Sequence, residues 1–378
     1  MQPTQLWNGT SRLDVSLELA HKVWKAAGTD GKRANPATFT VNASDLWERF
    51  QQLLQRLEDF RAKWGLPARC RINLIYEAGQ DGFWIARALK DHGVQAYVVD
   101  AASLLAPTHK RRPKTDRLDA LKLLEHLRAW LRGERHELRV LHIPSEESEA
   151  SRHLSRERGL LQKEMTQHLD RVRKLLRLYG CTDELDRQFW ERLHAGEVCR
   201  ADGRPLPQEL RSWLLREEER LGLARCQFVR VQKTLMEALP EPMQRCIAML
   251  AQLKGVGWVS ATRLVLELFW RDFSNRRQVG ACVGLVAQPY SSGESQTDQG
   301  ISKQGNRRVR ALLIELAWLW IRYQPRSALA RWFARRTQGG SKRGKRIAIV
   351  AVARRLAICL WRYLHDGVMP EGARLKKA

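Results

Sequence analysis

The sequence predicts an α/β domain followed by two helical regions, and three observations support this fold class. Strand-like and helix-like segments alternate through the N-terminal third of the chain. Leucines recur at seven-residue spacing in the middle, and apolar helical segments separated by glycine-rich turns follow. The predicted domains are residues 1–145, a mixed-sheet α/β domain; residues 146–240, a helical coiled-coil domain; and residues 241–378, a mostly helical C-terminal domain.

The N-terminal domain begins with a strand in which apolar residues occupy every second position from Leu13 to Leu19. A second strand is predicted directly after it, and "TFTV" is a candidate third strand. The segment "SDLWERFQQLLQRLEDFRAKWG" predicts a helix with Ser44 as its N-cap. The strand "RINLIYEAG", a helix near "GFWIARALKDHG", the strand "VQAYVVD" and a helix from Asp116 complete the order β-β-β-α-β-α-β-α. This order indicates a mixed sheet flanked by helices, and it is also the element order of ribonuclease-H-like nucleases.

Four carboxylates in this domain are candidate metal ligands. Asp14 lies on the first predicted strand, Glu77 ends the strand "RINLIYEAG", and "KTDRLDA" places Asp116 and Asp119 three residues apart on one helix face. Two such charges repel by roughly 3 kcal/mol at an effective dielectric of about 20, so their burial requires a cation or a proton. Ligands that are all oxygen atoms suit Mg²⁺, which would orient and polarise a phosphodiester.

Structural roles are the alternative for these carboxylates. Asp116 could be a helix N-cap with Asp119 in the first turn, because both positions are favoured by the helix dipole. Glu77 could be a surface residue that pairs with a neighbouring arginine.

Two long helices with heptad spacing are predicted in the middle of the chain. The residues at this spacing are Leu154, Leu161 and Leu175 in the first helix and Leu214, Leu221, Phe228 and Leu235 in the second. The pattern indicates an antiparallel hairpin or an intermolecular coiled coil. His168 interrupts the first series and is interpreted as tolerated packing, with no chemical role.

The C-terminal domain contains two segments with possible functional roles. "LKGVGWVSATRLVLEL" places Gly255 and Gly257 in a turn before a helix, as in a helix-hairpin-helix that presents N–H groups to phosphate, although simple packing explains two glycines equally well. "GLVAQPYSSGESQTDQGISKQGNRRVR" predicts an extended loop of about 20 residues, and loops of this length are usually functional or disordered. Its serines are candidate nucleophiles if a neighbouring group activates them, and a flexible serine-rich loop is the alternative.

The composition favours a polyanionic partner. The chain has 66 Lys and Arg against 41 Asp and Glu, a formal net charge of +25 and an isoelectric point near 10.4. "GGSKRGKR" approaches a phosphate-binding loop, but Arg346 stands where Ser or Thr would bind magnesium and no strand precedes it, so a nucleotide site is rejected. A basic loop on the nucleic-acid backbone and a solvated run of charges remain as alternatives. The candidate nucleic-acid-binding residues are Lys110, Arg111, Arg112, Lys114, Lys303, Arg307, Arg308, Arg310, Lys342, Arg343, Lys345 and Arg346.

Other classes of protein are disfavoured. The apolar runs "ALLIELAWLWI" and "IAIVAVARRLAICLW" are too short or too charged to span a membrane, and "MQPTQLWNGTSRLD" lacks the apolar core of a secretory signal. Seven cysteines without a CxxC pair indicate reduced thiols, and no histidine stands at zinc-site spacing from them. We therefore expect a cytoplasmic protein without a membrane partner.

The motifs together resemble those of the DEDD-type transposases of the insertion-sequence one-ten and eleven-eleven group. The resemblance covers nearly the whole chain and rests on "LDVS", "IYEAGQDGF", "KTDRLDA", "LKGVGWVSA", "VGLVAQPYSSGES" and "GISKQGNRRVR". It implies a RuvC-like domain, a coiled-coil domain and a C-terminal domain with a serine nucleophile. The implied acidic tetrad is Asp14, Glu77, Asp116 and Asp119. The implied nucleophile is Ser292, with Ser291 and Ser295 as alternatives.

One position departs from the family pattern, in which a small residue usually stands two positions before the first aspartate. Arg12 occupies that position here, which loosens the assignment of Asp14. The resemblance also implies a structured guide RNA encoded by the element's own flanks, so that base pairing reads the sequence while the protein holds backbone and shape.

The function expected from these inferences is a magnesium-dependent DNA recombinase that excises and inserts a mobile element through a phosphoserine intermediate. DNA as donor and target, the guide RNA, and a homodimer or homotetramer are the expected partners. A junction-resolving nuclease that uses metal-activated water is one alternative. A non-catalytic protein that binds nucleic acid through its charge is the other.

Overall fold

The computed structural model describes residues 11–33, 35–79, 82–101, 104, 115–135, 138–292 and 295–376, with the backbone alone for 290–292 and 295–298. The chain forms two compact units, Met1–Pro144 and Ser145–Ala378. The three predicted domains stay a prediction.

The first unit is built on a five-stranded mixed sheet. Its strands are β1 Arg12–Leu19, β2 Trp24–Thr29, β3 Ala37–Val41, β4 Arg71–Glu77 and β5 Gln95–Val99. The strand order is β3-β2-β1-β4-β5. The first three strands pair antiparallel, whereas β4 runs parallel to both β1 and β5. The mixed sheet predicted from the alternating pattern is therefore confirmed.

Three helices cover this sheet. They are α1 Leu46–Lys63, α2 Trp84–Asp91 and α3 Asp116–Leu131. Helix α1 begins after Asp45, whose side chain accepts hydrogen bonds from two backbone N–H groups, so the predicted Ser44 cap is wrong by one residue.

Alternation along β1 separates two cores. Leu13, Val15 and Leu17 belong to a cluster that includes apolar residues of α1 and α2. Ala27 on β2 lies on the other face of the sheet, in a cluster with Ala120 of α3. Because successive side chains of a strand point to opposite faces, the polar residues of β1 lie on the α3 face.

The second unit is mostly helical. Its helices are α4 Glu146–Arg177, α5 Arg187–Ala195, α6 Gln208–Ala238, α7 Glu241–Gln252, α8 Trp258–Leu264, α9 Arg276–Cys282, α10 Arg307–Tyr323, α11 Ala328–Thr337 and α12 Lys342–Asp366. One π-helical turn, Val265–Phe269, follows α8. A hairpin of β6 Ala287–Ser292 and β7 Ser295–Ile301 lies between α9 and α10. Among the described residues, no helix is both long enough and apolar enough to span a membrane.

Two predictions for this unit are corrected. The segment predicted as an extended loop forms the β6–β7 hairpin. "GGSKRGKR" is not wholly a loop, because Ser341 caps α12 and the helix begins at Lys342. The basic residues from Lys342 onward therefore lie in the first turns of a helix.

Helices α4 and α6 pack antiparallel. Arg158 of α4 contacts Phe228 of α6, whereas Arg171, further along α4, reaches back to Glu217 of α6. The two predicted long helices are thus present and form an intrachain hairpin. A coiled coil between molecules stays a prediction.

Glu217 is the polar centre of this helix pair, and its side chain is 1% exposed. His168 Nδ1 and Arg171 Nη1 each lie 2.6 Å from Oε2, Arg220 Nη1 donates to Oε1 at 2.7 Å, and Trp213 also donates to Oε1. Burial raises the pKa of this carboxyl, but the donated hydrogen bonds outweigh burial and lower the pKa to about 2. His168 therefore has a structural partner at the seam.

We expect Glu217→Gln to lower the free energy of unfolding by about 2–3 kcal/mol at neutral pH, because the charged donors lose their carboxylate. Since the folded pKa is depressed to about 2 from an ordinary 4.5, the carboxylate's contribution is full above pH 4.5 and is lost as pH falls toward 2. Denaturant unfolding at several pH values should show the difference from wild type narrowing over that range. Glu219→Gln, at an exposed position of the same helix, is the control and should change stability by under about 0.5 kcal/mol. A difference that does not depend on pH would contradict this assignment.

Candidate active site

Helix α3 presents two carboxylates in its first turn. Thr115 is its N-cap and accepts a hydrogen bond from the Leu118 N–H at 3.3 Å, so the alternative in which Asp116 is the cap is wrong. Asp116 Oδ2 lies 3.6 Å from Lys25 Nζ of β2, and Asp119 Oδ1 lies 3.7 Å from Lys122 Nζ. The Asp116 side chain is 53% exposed and that of Asp119 25%, so an ion from solvent has access to both.

The direction in which α3 crosses the sheet decides which residues lie near this first turn. The buried Ser16 Oγ of β1 donates to the Ala120 carbonyl oxygen at 2.6 Å. Further along the helix, the charge of Arg128 lowers the pKa of Asp14. Helix α3 therefore starts near the C-terminal end of β1 and ends near Asp14. Arg128 follows Asp116 by twelve residues, about 18 Å along a helix axis.

Glu77 and Glu18 share the sheet edge beneath the start of α3. Leu17 of β1 pairs with Tyr76 of β4, so Glu18 and Glu77 are the next positions of these parallel strands. Glu18 is also the antiparallel partner of Lys25, whose ammonium contacts Asp116. Because paired residues of neighbouring strands point to the same face, Glu18 lies on the α3 side. The same edge and face of the sheet thus carry Glu18, Glu77 and Lys25, and Asp116 contacts Lys25.

Asp14 occupies a different environment. Its side chain is fully buried, Arg12 Nε lies 2.9 Å from Oδ2, and Asn73 Nδ2 donates to Oδ1 at 2.9 Å. Burial raises the pKa of this carboxyl, and Arg12 and Asn73 offset the effect only in part. Asn73 is the strand partner of Asp14, and Glu77 lies four residues beyond it, about 13 Å along a strand. The structure does not bring Asp14 to the other three predicted carboxylates.

Glu18 was not among the predicted ligands, although two features of the sequence indicate its place at the end of β1. The alternation that places Leu13 and Leu17 in the core places Glu18 on the same face as Asp14, at the end of the strand. Ser16, two positions before Glu18, is also a small residue, so α3 can lie close to this end of the strand. The small side chain is needed there because the helix backbone at Ala120 lies 2.6 Å from the hydroxyl.

A divalent cation fits the chemistry of this edge. Carboxylate oxygens that are partly open to solvent are the ligands that hard cations such as Mg²⁺ prefer. Within the described residues, no group of three or more His, Cys, Asp or Glu side chains is already arranged as a metal site. The candidate donors at this edge are the carboxylates of Glu18, Glu77, Asp116 and Asp119. Their side chains would have to move closer together to bind one metal ion.

The predicted nucleophile lies in the β6–β7 hairpin. Ser291 pairs with Gln296, and Ser292 pairs with Ser295 as the last strand pair before residues 293 and 294. These two residues, which connect the strands, lie outside the described part of the chain. By backbone position, Ser292 and Ser295 stand at the tip of the hairpin.

The root of the hairpin is a close crossing of two backbone segments. Gly284 has φ +66° and Gly305 has φ +85°. A Cβ atom at Gly284 would clash with the Gln304 carbonyl oxygen, and one at Gly305 would clash with the Cys282 carbonyl oxygen. Only glycine fits either position, because both the left-handed φ and the close backbone exclude a side chain.

The predicted nucleic-acid-binding residues fall into three groups. Lys110, Arg111, Arg112 and Lys114 lie outside the described residues. The exposed ones are Lys303, Arg307, Arg308, Lys342, Arg343, Lys345 and Arg346. Arg310 is half-buried, and its Nη1 donates to the carbonyl oxygens of Val283 and Gln304 at the hairpin root.

Comparison with known proteins identifies the class. A model of DEDD transposases of the IS110 type matches residues 20–181, and the model described as "Transposase IS116/IS110/IS902 family" matches residues 247–331. A putative transposase of Sinorhizobium fredii, y4rJ, is 37% identical over 389 residues, which cover 99% of this chain and 97% of that protein. The transposase of insertion sequence element IS1111A from Coxiella burnetii is 27% identical over 274 residues. The aligned region covers 69% of this chain and 70% of that transposase.

These findings define a transposase, an enzyme that acts on DNA. The chain belongs to the IS116/IS110/IS902 family of insertion-sequence transposases. Its membership of the DEDD type indicates dependence on a divalent metal. The DEDD match includes Glu77, Asp116 and Asp119 but begins after β1, so it leaves the choice between Asp14 and Glu18 open.

We expect Gly284→Ala and Gly305→Ala each to destabilise the second unit by at least about 2 kcal/mol, because an added methyl group meets backbone that cannot move away. Gly222→Ala is the matched control: it lies inside α6 with nothing within 4 Å of the added atom and should stabilise by up to about 1 kcal/mol. Denaturant unfolding of the three variants is the measurement. Equal stability of the wild type and the two hairpin variants would show that the crossing is not tight.

Proposed function

We propose that this transposase cuts and rejoins DNA with a metal-binding carboxylate site on the first unit and a serine nucleophile on the second. The observation that carries the proposal is the convergence of Glu18, Glu77 and the first turn of α3 at one sheet edge. The mixed sheet with this strand order is compatible with a RuvC-like fold. Each of these acidic side chains is at least partly exposed.

In this proposal Glu18 replaces Asp14 as the first acidic ligand. Glu18, Glu77, Asp116 and Asp119 hold the metal, which we propose is Mg²⁺ and which supplies Lewis-acid activation of the scissile phosphate. Asp14 instead stays beneath the helix, paired with Arg12 and Asn73.

Ser292 is the proposed nucleophile. Its Oγ attacks phosphorus and the serine proton passes to water. The bond from phosphorus to the leaving deoxyribose oxygen breaks, and that oxygen takes a proton from water, which leaves a phosphoserine link and a free DNA hydroxyl. Transfer of the phosphoryl group to a different DNA hydroxyl then restores the serine and joins the new strand. The support is the position of Ser292 beside the turn of a hairpin, followed by exposed basic residues at the start of α10.

A structured guide RNA and a homodimer or homotetramer complete the proposal. The net charge of +25 supports binding of more nucleic acid than one short duplex site requires. In such an assembly, we propose, different copies of the chain supply the serine and the carboxylates of one reaction centre.

We expect Ser292→Ala to abolish covalent protein–DNA adducts, because the alanine variant lacks the attacking oxygen, while nucleic-acid binding is retained. Adducts trapped in single-turnover reactions are resolved on denaturing gels, and binding is measured by filter retention at fixed salt. Ser295→Ala, across the strand pair, is the matched control and should still form adducts. DNA cleavage without any adduct in the wild type would instead favour a nuclease that uses metal-activated water.

Glu18→Gln and Asp14→Asn form a matched pair four residues apart on one face of β1. We expect Glu18→Gln to reduce metal affinity and DNA cleavage by at least about 100-fold, because a ligand charge is lost. Asp14→Asn should change both by under about tenfold, because its oxygen can still accept from Asn73. Mn²⁺ titration and single-turnover cleavage measure the two effects. The reverse pattern would return the first ligand to Asp14.

A further inference from the structure

Glu267 links helix α4 to the segment that carries the serine hairpin. It lies in the π-helical turn after α8, and its side chain is 5% exposed. Arg156 of α4 donates to both carboxylate oxygens, with Nε 2.7 Å from Oε1 and Nη2 2.9 Å from Oε2. A bidentate arginine–carboxylate pair fixes orientation as well as distance, so α4 and the π-helical turn are held in one geometry.

Asn306 connects Glu267 to the hairpin root. Its Nδ2 donates to Glu267 Oε2 at 3.0 Å, and its backbone N–H donates to the Cys282 carbonyl oxygen at 3.0 Å. Its Oδ1 accepts from the N–H groups of Arg308 and Val309 and thereby caps α10. One residue therefore joins the buried carboxylate and the start of α10 through its side chain, and the end of α9 through its backbone N–H.

The hairpin root is in contact with both sides of this link. Asn306 directly follows Gly305, whose backbone crosses against Cys282. The Arg310 guanidinium holds the Val283 and Gln304 carbonyl oxygens from the other side. A change in the distance between Arg156 and Asn306 must therefore be taken up by the strands β6 and β7.

We propose that Arg156, Glu267 and Asn306 are positioning residues that set the orientation of the serine-bearing hairpin relative to α4. The catalytic consequence of this inference rests on the proposed function, in which Ser292 is the nucleophile. The link itself is a property of the free protein, so it can be tested without DNA. A π-helical turn at this point agrees with such a role, because single π-helical turns often occur at functional sites.

The test uses Asn306→Asp, which keeps the capping oxygen but replaces the donor to Glu267 with a second carboxylate. We expect amide hydrogen exchange in residues 287–301 of the free protein to become about tenfold faster, and the single-turnover rate of adduct formation at saturating DNA to fall about tenfold. The dissociation constant for DNA should change by under about twofold, since the hydrogen bond does not contact the ligand.

A double variant supplies the rescue. Combining Asn306→Asp with Glu267→Gln restores a donor and an acceptor between the two positions but weakens the paired contact with Arg156. We therefore expect exchange and rate to recover in part, closer to wild type than in either single variant. Arg331→Gln is the control, because it breaks an exposed ion pair with Glu371 in the same unit and should alter neither.

Several outcomes would overturn the inference. Unchanged hairpin exchange in a folded Asn306→Asp variant would do so, as would exchange that rises equally throughout the second unit, because the residues would then act on general stability. If Asn306→Asp fails to fold, the Glu267→Gln single variant decides by the same exchange criterion. If adducts persist in Ser292→Ala, Ser292 is not the nucleophile and the proposed function fails. The hydrogen-exchange result then still tests whether Arg156, Glu267 and Asn306 hold the hairpin.

Discussion

The close approach of α3 to the sheet is the constraint on which the candidate metal site depends. Ser16, Ala27 and Ala120 are all fully buried between them, and the Ser16 hydroxyl donates to the Ala120 carbonyl oxygen. Small residues at these positions let the helix backbone come within hydrogen-bond distance of β1. Since Asp116 lies about one helical turn before Ala120, this contact also sets where the acidic first turn stands over the strand ends.

Burial separates the structural carboxylates from the candidate ligands. Asp14, Glu217 and Glu267 are almost completely buried, and each has at least one arginine partner. A buried carboxylate needs such permanent partners, because removal from water is otherwise too costly. Asp116 lies 3.6 Å from Lys25 and Asp119 lies 3.7 Å from Lys122, and both carboxylates remain partly exposed. A site that binds metal and DNA needs this kind of access, and this difference is the physical reason for preferring Glu18 to Asp14.

The sequence was sufficient to predict the mixed sheet and the long helices, because both are encoded by periodic apolar residues. It was not sufficient to choose between Asp14 and Glu18. Both lie on the same face of β1. Periodicity predicts the face on which a residue lies, but it does not predict how far along the strand the first turn of α3 packs. That position follows from the pairing of Leu17 with Tyr76 and from the direction of α3, which are contacts between distant segments.

The hairpin escaped prediction for a different reason. Its strands are rich in serine and glutamine, which have little preference for β-structure. Their pairing is instead favoured by the crossing of Gly284 and Gly305, whose partners lie about 20 residues apart in sequence. Glycines at such positions are visible in a sequence, but their crowding by backbone is not.

The charge distribution of the second unit is consistent with a protein that brings a rigid hairpin to a polyanion. Twelve Arg and Lys residues and no acidic residue lie between Glu315 and Asp366. Those in the first turns of α12 are exposed, so their field acts on phosphate over about 8–10 Å in physiological salt. Such a field attracts DNA or RNA without orienting it. In the proposed mechanism the Ser292 hydroxyl must be oriented toward one phosphorus atom by fixed backbone, and the crossed glycines together with the proposed Glu267 link would supply this at the hairpin root.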